Sequence, residues 1–405
     1  FLAGSIISVF LMLPTSRCAT RVARRFMCAQ HRGHGKSVRL NEFRHNLATD
    51  EWVVFSAARQ NRPRQVTQKW QADERLSEMP EHVSSCPFCP GNEHLTPPPL
   101  LTNMDEAGRD WRLRIVPNKY PVVTLSRESL GSVNDNPRES DSYLMEEHVN
   151  AFGFHEVVVE TSKHNLPLSL ADPQTVEHLV HAFKRRGLAM MEMDSSLRHV
   201  MYFKNSGGRA GASMQHPHSQ IVGLPIVPAE VAHRQRHARE WYLRFQKNVF
   251  QYTLDETARQ RDQGGMHRVV VEDDHFMCFV PYAALSPFSL WIVPKGSTSA
   301  HFHRASTEQL SSFARMLRYA LQCLHVGLDE PDFNLVIRSA ALETGAMSVY
   351  RPERYFRWYC LIVPRLDMGA MGGFEYSTGI QSNSSFPEDD AAFLREVGQQ
   401  LPITP

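Results

Sequence analysis

Apolar residues recur along this chain with two periods, and the places where the period changes divide it into elements. Residues 44–56 read as a turn and a strand. Residues 111–123 and 152–160 read as strand patterns with a polar connection between them, and 199–204 and 221–227 as apolar strands flanking a polar loop. Helical spacing runs over residues 172–193, with Asp172-Pro173 as its start signal. Residues 229–263, rich in Arg, Gln and Glu, predict one exposed helix ending near Gly264-Gly265. Residues 386–397 predict a closing helix whose acidic first turn suits the helix dipole.

The second half of this pattern echoes the first. Residues 280–287 resemble V-P-N-K-Y-P at 116–121, residues 289–295 resemble the strand at 156–160, and a helix at 307–324 follows as one does after Asp172. Residues 333–340 then match 200–207, and 358–364 match the strand after the polar loop. The chain therefore reads as an α+β fold made of a duplicated unit of antiparallel sheet and packed helix. Its divisions are an N-terminal half at 41–228, a helical connection at 229–266 and a C-terminal half at 267–405. This alignment sets Arg357 opposite His216 and Tyr359 opposite His218, which assigns catalysis to the first half and leaves the second as scaffold and substrate wall.

Composition narrows the class. With 405 residues, 42% hydrophobic and 21% charged, the chain can bury one large core or two ordinary ones. Basic and acidic residues balance at 44 to 43, which gives no field for a long polyanion, so a small charged substrate fits better than nucleic acid. Residues 1–14 are apolar but short for a membrane helix, and no acidic residue appears between residue 15 and Glu42. Residues 1–40 thus read as a targeting or extraneous segment outside the fold. The expected compartment is the cytoplasm, or an organelle if that segment is a transit peptide; no membrane partner is expected. Seven cysteines, odd in number and mostly isolated, point to free thiols.

The polar loop holds the densest chemistry. Residues 205–220 read N-S-G-G-R-A-G-A-S-M-Q-H-P-H-S-Q, a glycine-rich turn followed by alternating histidines. On an extended backbone His216, His218 and Gln220 share a face and can converge on one ligand, as a metal pair, a structural pair or a nucleophile with its helper. Backbone N–H groups in such a turn cradle phosphate oxygens, and an imidazole offers a nitrogen nucleophile. Arg59 and Arg62 form a basic turn that is either solvated or a phosphate clamp. In S-C-P-F-C-P-G-N-E, Cys86 and Cys89 are a redox dithiol or half of a zinc site; no thioredoxin-like βαβ pattern follows, which favours zinc.

The run F-K-N-x-G-x-x-x-G-A-S-x-x-H-P-H-S-Q resembles the active-site signature of the galactose-1-phosphate uridylyltransferase family, a branch of the histidine-triad-like nucleotidyl transferases. Ser219 in H-P-H-S-Q, the A-G-A-S-M run and the G-G-F-E segment favour its ADP-glucose phosphorylase branch. The resemblance, spread over residues 43–396, implies duplicated histidine-triad-like units and a nucleotidyl-histidine formed on His218. It implies Gln220 and Ser213 on the phosphate oxygens, and Asn205, Gly207, Gly211 and Ala212 in the binding loop. Arg59 and Arg62 would approach the nucleotide phosphates, and Asn118 its base or ribose. Gly373, Phe374 and Glu375 would form a strand and turn against the sugar phosphate. His164 and His216 would complete a structural zinc site with Cys86 and Cys89.

The implied partners are a nucleotide sugar with inorganic phosphate or a hexose-1-phosphate, and the implied assembly is a homodimer. The acceptor separates an ADP-glucose phosphorylase from a UDP-glucose:hexose-1-phosphate uridylyltransferase of galactose metabolism. A non-catalytic, zinc-stabilised nucleotide-binding protein is the alternative of another class. One departure stands out: the branch carries a second C-x-x-C, and this chain has no cysteine between 90 and 277, although His301 and His303 remain.

Overall fold

The computed structural model describes residues 40–56, 76–105, 108, 110–124, 151–296, 299–342, 351–366 and 372–402. A hairpin of β1 (Glu42–Asn46) and β2 (Glu51–Phe55) opens the described chain. The first repeat follows as β3 (Leu101–Met104), β4 (Trp111–Pro117), β5 (Phe154–Val159), α1 (Pro173–Met193), β6 (His199–Ser206) and β7 (His218–Leu224). Two helices, α2 (Ala229–Phe245) and α3 (Val249–Asp262), lead to the second repeat. That repeat is β8 (Val269–Glu272), β9 (Phe276–Phe279), β10 (Leu290–Pro294), α4 (Thr307–Leu328), β11 (Phe333–Arg338) and β12 (Tyr359–Pro364). The chain closes with α5 (Gly373–Thr378), β13 (Gln381–Asn383) and α6 (Pro387–Gly398).

Ten strands form one antiparallel sheet in the order β3-β4-β5-β7-β6-β11-β12-β10-β9-β8. The order reads the same from either edge once repeats are exchanged, with the β6–β11 pair as the seam. Register carries the equivalence to single residues. Gln220 stands between Phe203 of β6 and Val157 of β5, while Leu361 stands between Val336 of β11 and Trp291 of β10. Two residues back on the same face, Tyr359 takes the place of His218, as the duplication predicts.

Both long helices lie on one face because each offers it an apolar stripe. Asp172 caps α1 by accepting from the Thr175 N–H at 2.8 Å, and Pro173 sets its first turn. Ser306 and Gln309 form a capping box at α4. Between helices and sheet, Phe183, Tyr202, Phe302 and Trp358 touch in sequence, the first pair tilted and the next two edge-to-face, with centroid spacings of 5.5, 5.1 and 5.2 Å, so one aromatic row crosses the seam.

The opposite face differs between repeats. In the second, α2 and α3 cover it, and Ala238, Phe250 and Leu254 pack with Trp291, Tyr359 and Leu361. In the first, the equivalent positions are His218 and Gln220. The single exposed helix expected over 229–263 is therefore two partly buried ones. Gln246, at φ +53°, ends α2, and Asn248 starts α3 by accepting from the Phe250 and Gln251 N–H groups. A second expectation is also corrected: residues 373–378 are a short helix, since the Glu375 carboxylate bonds back to the Gly372 N–H at 3.0 Å and closes a helical first turn.

Gly187 in α1 lets the helix seat on Tyr202, because a Cβ there would lie 1.9 Å from the Tyr202 hydroxyl oxygen. That hydroxyl is buried and has no hydrogen-bond partner among the described residues. Gly187→Ala should cost about 1–3 kcal/mol by overpacking. Tyr202→Phe should be close to neutral and should recover most of the loss when combined with Gly187→Ala in a denaturant-unfolding double-mutant cycle. Strictly additive effects would contradict this packing.

Candidate active site and metal centre

Three separated segments meet at the N-terminal end of β7. Cys86 and Cys89 come from a tight turn, in which the Cys89 N–H donates to the Cys86 carbonyl at 3.2 Å. His164 lies just after β5 and His216 just before β7. Their four ligand atoms lie within 4.8 Å of one another, and all four residues are buried. His216 Nδ1 is 3.7 and 3.5 Å from the Cys86 and Cys89 sulfurs, and His164 Nδ1 is 3.5 Å from Cys89. A tetrahedron with Zn–S of about 2.3 Å and Zn–N of about 2.0–2.1 Å has S···N edges of about 3.6 Å. The donor set therefore fits a four-coordinate ion with every position filled by protein.

The tautomer fits as well. His216 donates Nε2–H to the Thr161 carbonyl at 2.8 Å, leaving the Nδ1 lone pair towards the sulfurs, the usual support for a metal-bound imidazole. Burial pushes the pKa of His216 down to about 4, so its imidazole is neutral at pH 7. Burial also pushes the Cys86 thiol up to about 11, so an entering cation must displace its proton.

His218 opens β7, and its ring Nδ1 donates to the His216 carbonyl at 2.9 Å. This fixes the tautomer and leaves the lone pair on Nε2. Burial first, and then the Lys204 charge, lower the His218 pKa; the bond to His216 and the Glu160 charge partly offset them. Gln220, two residues on, faces the same side. Its Oε1 lies 2.7 Å from His155 Nε2, while His155 Nδ1 accepts from the Val122 N–H at 3.0 Å. His155 is thus the donor to Gln220, and the Gln220 amide NH2 is left as a donor for a ligand oxygen. Asn118 lies beside them, with Nδ2 3.0 Å from His155 Nε2.

Ser219 points to the other face and donates to Glu160. The Glu160 carboxylate also pairs with Lys204 Nζ at 2.9 Å, and the same ammonium reaches the His218 carbonyl at 3.1 Å. A buried ion pair whose remaining hydrogen bonds are satisfied in this way holds the strand backbone in place beneath the reactive ring.

The glycine loop is braced by the second repeat. Gly207 and Gly211 have φ of +84° and +86°. A Cβ on Gly207 would also lie 2.0 Å from an Asp332 carboxylate oxygen, and that carboxylate accepts the Arg209 N–H at 2.7 Å. Asn334 donates to Asn205 Oδ1 at 2.9 Å and to the Ala210 carbonyl at 2.8 Å, and Arg365 in turn donates to Asn334 at 2.5 Å. A cleft of about 240 Å³ opens between loop and second repeat, with Lys204, Gly207, Ala212, Ser213, His218 and Asp332 on its walls.

Most residues singled out from the sequence meet here: Cys86, Cys89, His164 and His216 in one cluster, and Asn118, Asn205, Gly207, Gly211, Ala212, Ser213, His218 and Gln220 around it. The two histidines do not share one ligand; His216 joins the sulfurs while His218 stands apart. Gly373, Phe374 and Glu375 lie on α5 and are not among the residues lining the cleft. Arg59, Arg62 and residues 1–39 lie outside the described residues. His301 donates Nε2–H to the Ala341 carbonyl and its ring lies tilted against His303 at 5.2 Å; neither joins the Cys/His cluster. His155, Lys204, Glu160, Asp332 and Asn334 are the positioning residues that sequence reasoning missed. Lys204 stood in the F-K-N of the motif, and Glu160 ended an apolar strand where a charge needs a partner.

A sequence model of the galactose-1-phosphate uridyl transferase N-terminal domain matches residues 35–228. An ADP-glucose phosphorylase from Arabidopsis thaliana is 33% identical over 369 residues, 90% of this chain and 96% of that protein. A galactose-1-phosphate uridylyltransferase from Thermotoga maritima is 29% identical over 281 residues, 68% of this chain and 73% of that protein. The crystal structure of the Arabidopsis thaliana ADP-glucose phosphorylase with bound ADP-glucose aligns with a TM-score of 0.69 at 32% identity, covering 88% of this chain and 99% of that one. Identity of 33% sustained over 90% of the chain goes beyond a shared fold, and the chain belongs to the galactose-1-phosphate uridylyltransferase family.

Proposed function

We propose that the protein is a nucleotidyltransferase of the ADP-glucose phosphorylase type, which turns ADP-glucose and phosphate into ADP and glucose-1-phosphate. The observation that carries this reading is the His218 ring, tied through Nδ1 with its Nε2 lone pair free, beside a Gln220 amide oriented by His155. Nε2 attacks the α-phosphorus of ADP-glucose, and the bond to the glucose-1-phosphate oxygen breaks, leaving AMP on the ring. Phosphate then attacks the same phosphorus, forms ADP and returns the lone pair to Nε2. Loop amides at 207–212, Ser213 and the Gln220 NH2 would take the charge that develops on the non-bridging oxygens. Arg59 and Arg62 are assigned to the diphosphate.

Zinc is the ion best matched by Cys86, Cys89, His164 and His216. It supplies rigidity, because a closed Cys2His2 site leaves no position for water or substrate. The adenylyl branch is supported by the match to the phosphorylase, 33% over 90% of this chain against 29% over 68% for the Thermotoga maritima uridylyltransferase. Uridylyl transfer to a hexose-1-phosphate is the competing activity.

Four measurements test this reading. ADP-glucose phosphorolysis should exceed UMP transfer to galactose-1-phosphate by about 100-fold in kcat/KM, a difference of about 2.7 kcal/mol. The reverse order would move the protein to the uridylyl branch, and tight nucleotide binding without either turnover would make it a binding module. His218→Gly should abolish both activities with Tm unchanged. In single turnovers without phosphate, release of glucose-1-phosphate should lose rate on acidification only below the ordinary histidine value of 6.5, since a lowered pKa keeps the base form neutral to lower pH. An acid limb above 6.5 would contradict a lowered His218 pKa. Cys86→Ser should reduce bound zinc from about one per chain to below about 0.2 and lower Tm with it; unchanged stoichiometry by elemental analysis would remove the zinc assignment.

A further inference from the structure

Two side-chain amides and one peptide N–H meet a single ring beside His218, and only one set of proton positions satisfies them. The ring is His155 of β5. Alternation turns Phe154 and Glu156 to the helices, and His155 and Val157 to the face that carries His218 and Gln220. Val157 pairs with Gln220 and His155 with Val222, so the His155 ring lies diagonal to Gln220 and within reach of its amide. Behind it, Arg186 of α1 grips the Glu156 carboxylate by two bonds of 2.9 and 2.5 Å, which anchors the strand. His155 itself is buried.

The backbone dictates where the protons sit. A peptide N–H can only donate, so the Val122 N–H at 3.0 Å makes Nδ1 of His155 the acceptor and puts the ring proton on Nε2. Two groups face that proton. Gln220 offers its Oε1 at 2.7 Å, whereas Asn118 Nδ2 at 3.0 Å cannot accept. Asn118 is not free to turn its amide round, because its Oδ1 takes the Tyr120 N–H at 2.8 Å and its own N–H donates to the His155 carbonyl at 2.8 Å. Both NH2 groups are therefore left for acceptors other than this ring. An apolar side chain of similar size at 155 would fill the space but leave Gln220 free to turn its oxygen towards the phosphate, where two partial negative charges repel.

We infer that His155 is a positioning residue for nucleotidyl transfer with two separable tasks. Its Nε2–H holds the Gln220 amide in the orientation that presents NH2 to the transferring phosphoryl group, and its Nδ1 holds the 118–122 segment in place for the nucleoside. The inference rests on the reaction assigned to His218, and adds to it a link between nucleoside seating and phosphoryl stabilisation through one imidazole.

Two substitutions divide the ring. His155→Asn keeps an oxygen near the place of Nδ1 and drops the donor, while His155→Gln keeps an NH2 near the place of Nε2 and drops the acceptor. The readout is glucose-1-phosphate release from ADP-glucose in single turnovers without phosphate. In His155→Asn the limiting rate should fall about tenfold or more, with half-saturating ADP-glucose within about twofold of wild type. In His155→Gln half-saturation should rise about tenfold, and the limiting rate should fall less than in His155→Asn. Added to Gln220→Ala, His155→Asn should cost no further rate, since the ring acts on phosphorus only through that amide. Unaffected variants, the same loss in both, a multiplicative loss in the double variant, or a loss that only tracks the folded fraction would overturn the role. Absence of release by the wild type would overturn the His218 reading and this role with it; normal wild-type release with unaffected variants would overturn this role alone.

Discussion

A hydrogen bond of 2.9 Å from the His218 ring to the His216 carbonyl is the constraint on which the site depends. It sets which nitrogen of His218 is bare, and it can do so only if the His216 peptide stays still. His216 is held by Thr161 through one nitrogen and faces two cysteines through the other. Cys86, remote in sequence, thus bears on the aim of the His218 ring through His216. On the far side of the strand, Lys204 and Glu160 hold the peptide from below. The reactive ring is positioned from both faces of one β-strand, and side-chain alternation along that strand makes this possible.

Duplication explains where the site lies and why there is one. Both repeats present the same rung of the sheet, but α2 and α3 pack on that face in the second, where Tyr359 and Leu361 have become core. At the position equivalent to His216 the second repeat has Arg357, which donates to the Pro294 carbonyl at 2.9 Å and to Gln251 at 2.5 Å. A fixed guanidinium there ties a strand end to a helix, much as the Cys/His cluster ties three segments together in the first repeat. The second repeat still contributes to chemistry through Asp332 and Asn334, which hold the glycine loop in a conformation that Gly207 alone permits.

Much of this was legible in the residues themselves. The repeat order, the α1 start at Asp172 and the shared face of His218 and Gln220 follow from period and spacing, because burial on one face imposes them. Linking His164 and His216 to Cys86 and Cys89 needed the family resemblance, since nothing local marks a ligand 130 positions away from its partner. The break at Gln246 was missed because Asn248 as a cap looks like any polar residue in an Arg- and Gln-rich run. Residues 373–378 misled for a related reason: G-G-F-E-Y suits a turn by composition, and one backbone bond to Glu375 makes it a helix. His155 was hidden because a histidine inside an apolar strand reads as core until its partner across the sheet, Gln220, is known.

The account stands on nucleotide being carried by a defined ring nitrogen. Its most direct measurement is a rapid alkaline quench of the working protein with ADP-glucose alone, followed by peptide mass spectrometry and 31P NMR of the trapped adduct. The account predicts one AMP per site as a phosphoramidate on Nε2 of His218. AMP on another residue, or no phosphoramidate while glucose-1-phosphate is being released, would contradict it.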